Sequence, residues 1–304
     1  MKDHDISRRG ALSCLAWGGA GMLWTMAGGV PVARALAAGG DKMSKTGAFS
    51  FVQISDTHIG FAKEANPDTS LTTRAAIELI NSSAPDAALV LHTGDVTHLS
   101  KANEFDQAAD LLKGLKPAEL HVVPGEHDVL DSAKTNFFDR YGAVSKRKGF
   151  YSFDHQGVHF IALVNVMEFK PGGQGRLGGE QLEWLEDDLN GRSASQPIIV
   201  FTHIPLWTLY EKWGWGTEDW PQAMAYLKRF GSVTVLNGHI HQVVQKVEGT
   251  VTHYATASTS YPQPKAGEGE GPGPVTLPAD QLRTALGIRR IDTVPLKIID
   301  SRLA

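Results

Sequence analysis

The chain has one cysteine, Cys14, in 304 residues, and it lies close to the amino terminus. One thiol can form neither an internal disulfide nor a cluster of thiolate metal ligands, so any bound metal must rely on imidazole and carboxylate donors. Excess charge is also scarce. A formal net charge of −4 does not suit a protein that coats nucleic-acid polymers or anionic membranes by bulk electrostatics. An anionic ligand would need local help, such as metal ions. Long apolar runs are missing as well: the candidate in the first forty residues, reaching Val30, is broken by Gly18, Gly19, Gly21, Gly28 and Gly29 and is too weakly apolar for a stable membrane span.

What surrounds that run is informative. Ser7-Arg8-Arg9-Gly10-Ala11-Leu12 precedes it and Ala35-Leu36-Ala37 follows, which predicts a cleaved twin-arginine export leader over residues 1–37. Cys14 is a poor lipidation site because Leu12 is one position out of place. The expectation is therefore a protein that meets the twin-arginine machinery already folded and reaches the bacterial periplasm. It keeps no membrane anchor after cleavage and, being thus cut, no cysteine.

The hydrophobic content, 42%, is ordinary for a globular core. Residues 49–54, 86–91 and 119–123 read as buried strands, each ending in a polar loop, with helical spacing over 69–83 and 102–115 between them. Repetition of strand, polar loop and helix predicts an α/β fold whose functional groups gather at the carboxyl ends of neighbouring strands. Further on, 150–154 and 158–164 read as a hairpin around Gln156-Gly157, 179–189 as an amphipathic helix, and 197–201, 232–236 and 251–257 as strands. A domain over 48–260 follows, with residues 261–304 as a Pro/Gly-rich extension packing on it. A short helix near Pro278 and a last strand over 296–299 are expected there.

Five polar clusters each follow an apolar run: Asp56-x-His58, Gly94-Asp95, Gly125-Glu126-His127-Asp128, Thr202-His203 and Gly238-His239-Ile240-His241. A lone histidine after a strand is usually a core residue or a cap, but carboxylates and imidazoles converging from several strand ends suit borderline divalent metals. His92, His121, His155, His159 and His253 have no partner at ligand spacing and read as strand or turn residues.

From residue 51 to 256 this order of motifs resembles the calcineurin-like metallophosphoesterase superfamily. Leu177-Gly178-x-x-Gln181-Leu182-x-Trp184-Leu185 draws it towards the cyclic-nucleotide and glycerophosphodiester phosphodiesterase branch. The resemblance implies a four-layer α-β-β-α sandwich with two mixed sheets and a dinuclear site at their upper edge. It further implies Asp56, His58 and His241 on one metal, Glu126, His203 and His239 on the other, Asp95 bridging, and His127 facing substrate. The implied cofactor is two divalent or mixed-valence ions, drawn from Fe, Mn, Zn and Co. Small phosphoesters are the expected substrates, and binding of a nucleic-acid polymer is not expected.

Two positions depart from the pattern. Glu126 stands where the superfamily has asparagine. A third carboxylate leaves less net positive charge for phosphate; the glutamate either tightens metal binding and damps Lewis acidity, favours a more highly charged ion such as ferric iron, or swings out to solvent. His98, three residues after Asp95, replaces the Asp, Asn or Tyr of related enzymes; it is either an imidazole partner of His127 near the substrate or an ordinary loop residue. Between His203 and His239, residues 206–220 contain Trp207, Trp213, Trp215 and Trp220. This segment either presents aromatic faces to a substrate or partner, through Trp213 and Trp215 above all, or packs on its own tryptophans. The reading that results is a dinuclear phosphodiesterase. Its alternative is a metal- or phosphate-binding or interaction protein on the same scaffold, with Glu126 closing catalysis.

Overall fold

The computed structural model describes residues 22–27, 30–35 and 47–303, apart from 118 and 132. Strands β1 (Met22–Ala27) and β2 (Val30–Ala35) pair antiparallel as a separate two-stranded sheet. The twin-arginine stretch and residues 36 and 37 of the expected cleavage site lie outside the described residues.

The remaining strands form two mixed sheets. In the first, β3 (Ser50–Ile54), β4 (Leu89–His92) and β5 (Glu119–Val122) run parallel. Helix α1 (Thr69–Ser83) connects β3 to β4, and α2 (Ala102–Leu112) connects β4 to β5. Asp68 starts α1 by accepting the Ser70 N–H at 2.9 Å, and Thr72, Ala76 and Ile80, one turn apart, form the buried stripe. A short 3-10 turn over Glu126–Asp128 and helix α3 (Thr135–Tyr141) lead into the second sheet.

That sheet has six strands. β6 (Tyr151–His155) and β7 (Val158–Ala162) form a hairpin turned by Gln156 (φ 47°) and Gly157 (φ 86°), the left-handed pair that a two-residue turn requires. β8 (Ile198–Phe201), β9 (Val233–Asn237) and β11 (Val251–Ala255) continue parallel to β7, and β10 (Val244–Glu248) closes the edge against β11. α4 (Gly179–Leu189) and α5 (Trp220–Leu227) pack on its outer face around Leu185, Met224 and Leu227.

The expected domain boundary at residue 260 is corrected by the carboxyl-terminal residues. After α6 (Ala279–Ala285), β12 (Gly287–Thr293) pairs with β3 inside the five-stranded sheet, and β13 (Leu296–Arg302) pairs with β12. Residues 261–304 therefore complete the domain and are no extension laid upon it. The two sheets meet face to face through Phe51, Leu91 and Ile291 on one side and Phe160, Phe201 and Leu236 on the other. Phe51 and Phe160 are edge to face at 5.4 Å, and each such buried side chain contributes about 2–3 kcal/mol. With α1 and α6 on the outer face of the five-stranded sheet, the layers run α-β-β-α. Among the described residues no helix is long and apolar enough to cross a membrane.

Candidate metal centre

The loops after β3, β4 and β5 in one sheet and after β8 and β9 in the other converge at one edge of the sandwich. Backbone bonds lace them together: Asp56 N–H donates to Gly94 O at 3.0 Å, His58 N–H to Asp95 O at 2.9 Å and Gly238 N–H to His203 O at 3.1 Å. These loops are strained. Asp56 (φ 54°), His58 (42°), Asp95 (54°), His239 (69°) and His241 (53°) all adopt the left-handed region that side chains normally avoid. Such conformations cost about 1–3 kcal/mol each and persist only where the surroundings over-determine them. Close packing is one such constraint: at Gly125 a Cβ would overlap Asp95, and at Gly238 it would overlap Ser55.

The strain aims seven side chains at a common space. Asp56, His58 and His241 form one buried group, with His241 Nε2 at 3.3 Å from Asp56 Oδ1 and 3.4 Å from His58 Nε2. Glu126, His203 and His239 form a second, with Glu126 Oε2 at 2.8 Å from His203 Nε2 and Oε1 at 2.9 Å from His239 Nδ1. Asp95 joins them, because its Oδ2 lies 3.4 Å from both His58 Nε2 and His203 Nε2. Each group thus holds one carboxylate and two imidazoles of its own and shares a second carboxylate, Asp95. The glutamate is turned inward, and a solvent-facing Glu126 is not what the structure contains.

The donor atoms fit cations better than they fit one another. Asp56 Oδ2, Glu126 Oε2, His203 Nε2 and both ring nitrogens of His239 are buried without a hydrogen bond, despite separations as short as 2.8 Å. Lone pairs side by side and pointing at a shared gap are the arrangement a metal ion satisfies. The tautomers agree. His203 Nδ1 donates to Thr93 O at 2.7 Å and His241 Nδ1 to Tyr261 O at 2.6 Å, which frees Nε2 of each ring as a ligand.

Without cations the charges pair among themselves. Burial acts to raise the Glu126 pKa, but the His239 and His203 imidazoles outweigh it and hold the carboxyl well below its ordinary range. Burial likewise acts to lower His203, and the Asp95 and Glu126 carboxylates instead raise it well above the usual imidazole value. Binding of a cation by His203 would require the ring nitrogen that faces the gap to be deprotonated.

His127 stands at the mouth, partly exposed. Its backbone N–H donates to Asp95 Oδ1 at 2.9 Å, and Nδ1 donates to the His98 carbonyl at 2.7 Å, leaving Nε2 unengaged by either bond. Burial lowers its pKa, but Asp95 and Glu126 prevail and raise it. His98 is stacked on His127 at 4.8 Å and 17°, with its Nδ1 3.4 Å from His58 Nδ1. The pairing of His127 is thus with the His98 backbone, not with its imidazole, and burial and His127 hold the His98 ring at a pKa of about 4.

Two contributors had no role in the sequence reading. Asp128 is fully buried and accepts from Val96 N–H (3.0 Å), Thr97 N–H (2.8 Å) and Gly125 N–H (3.0 Å), tying the Asp95 loop to the Glu126 turn. Its place in Gly125-Glu126-His127-Asp128 was the available signal. Tyr261 stacks on His58 at 5.0 Å, and its hydroxyl lies 3.3 Å from His58 Nε2. Nothing in the surrounding proline- and glycine-rich sequence marks it.

Trp213 and Trp215 do not present stacking faces over the centre. Trp215 is 1% exposed and packs on Ile240, and Trp213 meets it edge to face at 5.1 Å. Trp207 and Trp220 flank the Lys246 ammonium at 5.2 and 5.3 Å. The segment packs on its own tryptophans, which corrects the expectation of an open aromatic surface.

Comparison with known proteins agrees with this geometry. The calcineurin-like phosphoesterase family matches residues 49–243. A probable cyclic nucleotide phosphodiesterase of Rhodopseudomonas palustris is 29% identical over 161 residues, covering 51% of this chain and 57% of that protein. The chain thus matches little more than half of that relative's length. Another, from Synechococcus, is 26% identical over 227 residues, covering 73% and 83%. Among solved structures, a dimetal phosphatase from Danio rerio superposes with a TM-score of 0.58 at 13% identity, covering 84% of this chain and 99% of that one. A purple acid phosphatase from yellow lupin gives 0.62 at 14% identity, covering 86% and 52%. By family match, by fold and by the donor set at its sheet edge, the chain belongs to the calcineurin-like phosphoesterases.

Proposed function

We propose that the chain is an exported, dinuclear metal-dependent phosphodiesterase acting on small diesters such as cyclic nucleotides or glycerophosphodiesters, with phosphomonoesters as secondary substrates. The observation that carries the reading is Asp95: one oxygen lies equidistant from the two donor groups, and the other holds the backbone of His127. The two relatives described as probable cyclic nucleotide phosphodiesterases support the diester class.

In this reading Asp56, His58 and His241 would hold one cation and Glu126, His203 and His239 the other, with Asp95 placed between the two groups. Cations bound there supply Lewis-acid polarisation of the phosphoryl oxygens and lower the pKa of a water enough for it to serve as nucleophile. The protein's own part is positional and protonic. His127, with Nδ1–H tied to the His98 carbonyl, carries its mobile proton on Nε2 and delivers it to the departing alkoxide oxygen as the bond from phosphorus to that oxygen breaks. A new bond from phosphorus to the water oxygen replaces it, and the proton that this water loses passes to solvent. Glu126 adds a third carboxylate, which strengthens cation binding and reduces the net positive charge met by the phosphate. The leader over residues 1–37 directs the folded chain to the periplasm.

Hydrolysis of 3′,5′-cyclic AMP and bis(p-nitrophenyl) phosphate tests the reading. Turnover on at least the synthetic diester is expected, and His127→Ala should lower kcat by about 10²–10⁴-fold with metal content unchanged. Full activity in His127→Ala would refute the assigned proton donor.

A further inference from the structure

We propose that the tryptophan-rich segment is a clamp that fixes the histidine loops in their cation-holding conformation, with Trp215 and Thr217 as positioning residues. The inference rests on the reading that those histidines bind cations. It gives the segment a task at the centre other than contact with substrate.

The loop most in need of support is Gly238-His239-Ile240-His241. His239 and His241 both hold left-handed φ, and a β-branched isoleucine separates them. Within the loop the backbone supplies a single bond, Ile240 N–H to Gly238 O at 2.8 Å. Outside it, His239 N–H donates to Asp56 Oδ1 at 3.1 Å. Ile240 is fully buried, and its apolar companions are Trp215 and Ala255, with Leu209, Tyr210 and Val244 beside them. The indole therefore fills the space that would open if Ile240 rotated out and the two imidazoles relaxed.

Trp215 is itself immobilised. Its carbonyl accepts Leu209 N–H at 2.7 Å and its N–H donates to Tyr210 O at 3.1 Å. A Cβ at Gly214 would overlap the Gly173 carbonyl, and one at Gly216 would come within 2.7 Å of Thr208 Cα. Backbones packed this closely do not swing as a lid.

Two residues on, the same segment grips the other histidine loop. Thr217 Oγ1 donates to Pro205 O at 2.9 Å and accepts from Asn165 Nδ2 at 2.8 Å. The Asn165 side chain in turn binds both backbone groups of Ile204, at 2.8 and 3.2 Å. Ile204 and Pro205 directly follow His203. One rigid segment thus braces three of the four imidazoles in the donor set.

The test measures Mn(II) affinity by chelator competition on the folded full chain. Trp215→Leu and Thr217→Val should each weaken binding by about tenfold or more, the loss typical of removing a group that orients metal ligands, and Trp215→Phe should recover most of it. The control is Phe230→Leu, equally buried but placed before β9, at the end of that strand opposite His239. It should lower thermal stability and leave affinity unchanged. Should Trp215→Leu fail to fold, Thr217→Val and Trp215→Phe carry the test. Wild-type affinity in the folded variants would overturn the clamp. A wild-type chain that binds no Mn(II) would overturn the metal reading and the clamp with it, a result distinguishable from equal binding by all.

Discussion

His159 and His203 are equally buried, with two carboxylates within reach of the first and three of the second, yet they illustrate opposite uses of an imidazole. His159 Nδ1 meets Asp154 Oδ1 at 2.9 Å and Nε2 meets Asp188 Oδ2 at 2.7 Å, so both ring nitrogens end in hydrogen bonds. His203 spends Nδ1 on the Thr93 carbonyl and leaves Nε2 2.8 Å from Glu126 without a hydrogen bond. In the first case the carboxylates face the ring. In the second they lie beside it and face what the ring faces. The direction of the second nitrogen, more than burial or nearby charge, separates a structural histidine from one shaped to bind an ion.

The comparison can be broken at either end. The largest effect is expected at the centre: Glu126→Gln should weaken retention of one of the two cations by about 10–100-fold or more, because a charged donor that reaches both His203 and His239 becomes neutral. Metal analysis after dialysis against chelator checks this, and two equivalents retained would show that Glu126 is not a ligand. At the other end, His159→Ala should cost about 1–3 kcal/mol in denaturant unfolding, because Asp188 loses its bond to the buried ring while keeping Ser152 at 2.6 Å and Arg192 at 3.7 Å. Metal content and turnover should be those of the wild type. A loss of cations in that variant would erase the distinction between the two histidines.

A pH-dependent effect belongs to the strand histidines His92 and His253, whose pKa values burial lowers to about 4. Their folded values lie below the unfolded value of 6.5, so the unfolded chain takes up protons first as pH falls. Their contribution is fully present above about pH 6.5 and is lost progressively towards pH 4, at up to about 3 kcal/mol per residue. His253 has neither ring nitrogen hydrogen-bonded, so His253→Leu should flatten the slope of stability between those pH values. An unchanged slope in urea titrations would contradict the assignment.

Much of the centre was legible because its chemistry demands particular residue types at strand ends. Asp56, His58, Asp95, His203, His239 and His241 are the donors that a site without thiols must use, and the apolar runs before them fixed their place in the fold. The left-handed backbone at five of those six positions was not legible, because neither Asp nor His announces it as Gly does; tertiary contacts impose it. Strand β12 was missed for a related reason. Arg289 interrupts its apolar pattern yet is fully buried, satisfied by Asp300 Oδ1 at 2.8 Å and Ala255 O at 3.0 Å. Edge strand β10 alternates in exposure and offered too little hydrophobic signal. The tryptophans were visible, but their direction depended on Ile240 and Lys246, residues distant in sequence.

The most direct measurement is a titration of the cation-stripped chain with Mn(II), following bound metal and bis(p-nitrophenyl) phosphate hydrolysis together. Two equivalents should bind per chain, with turnover rising as the pair is completed. Two equivalents bound with no hydrolysis of this diester or of cyclic AMP would contradict the phosphodiesterase account and leave a metal-binding protein whose third carboxylate has closed the site.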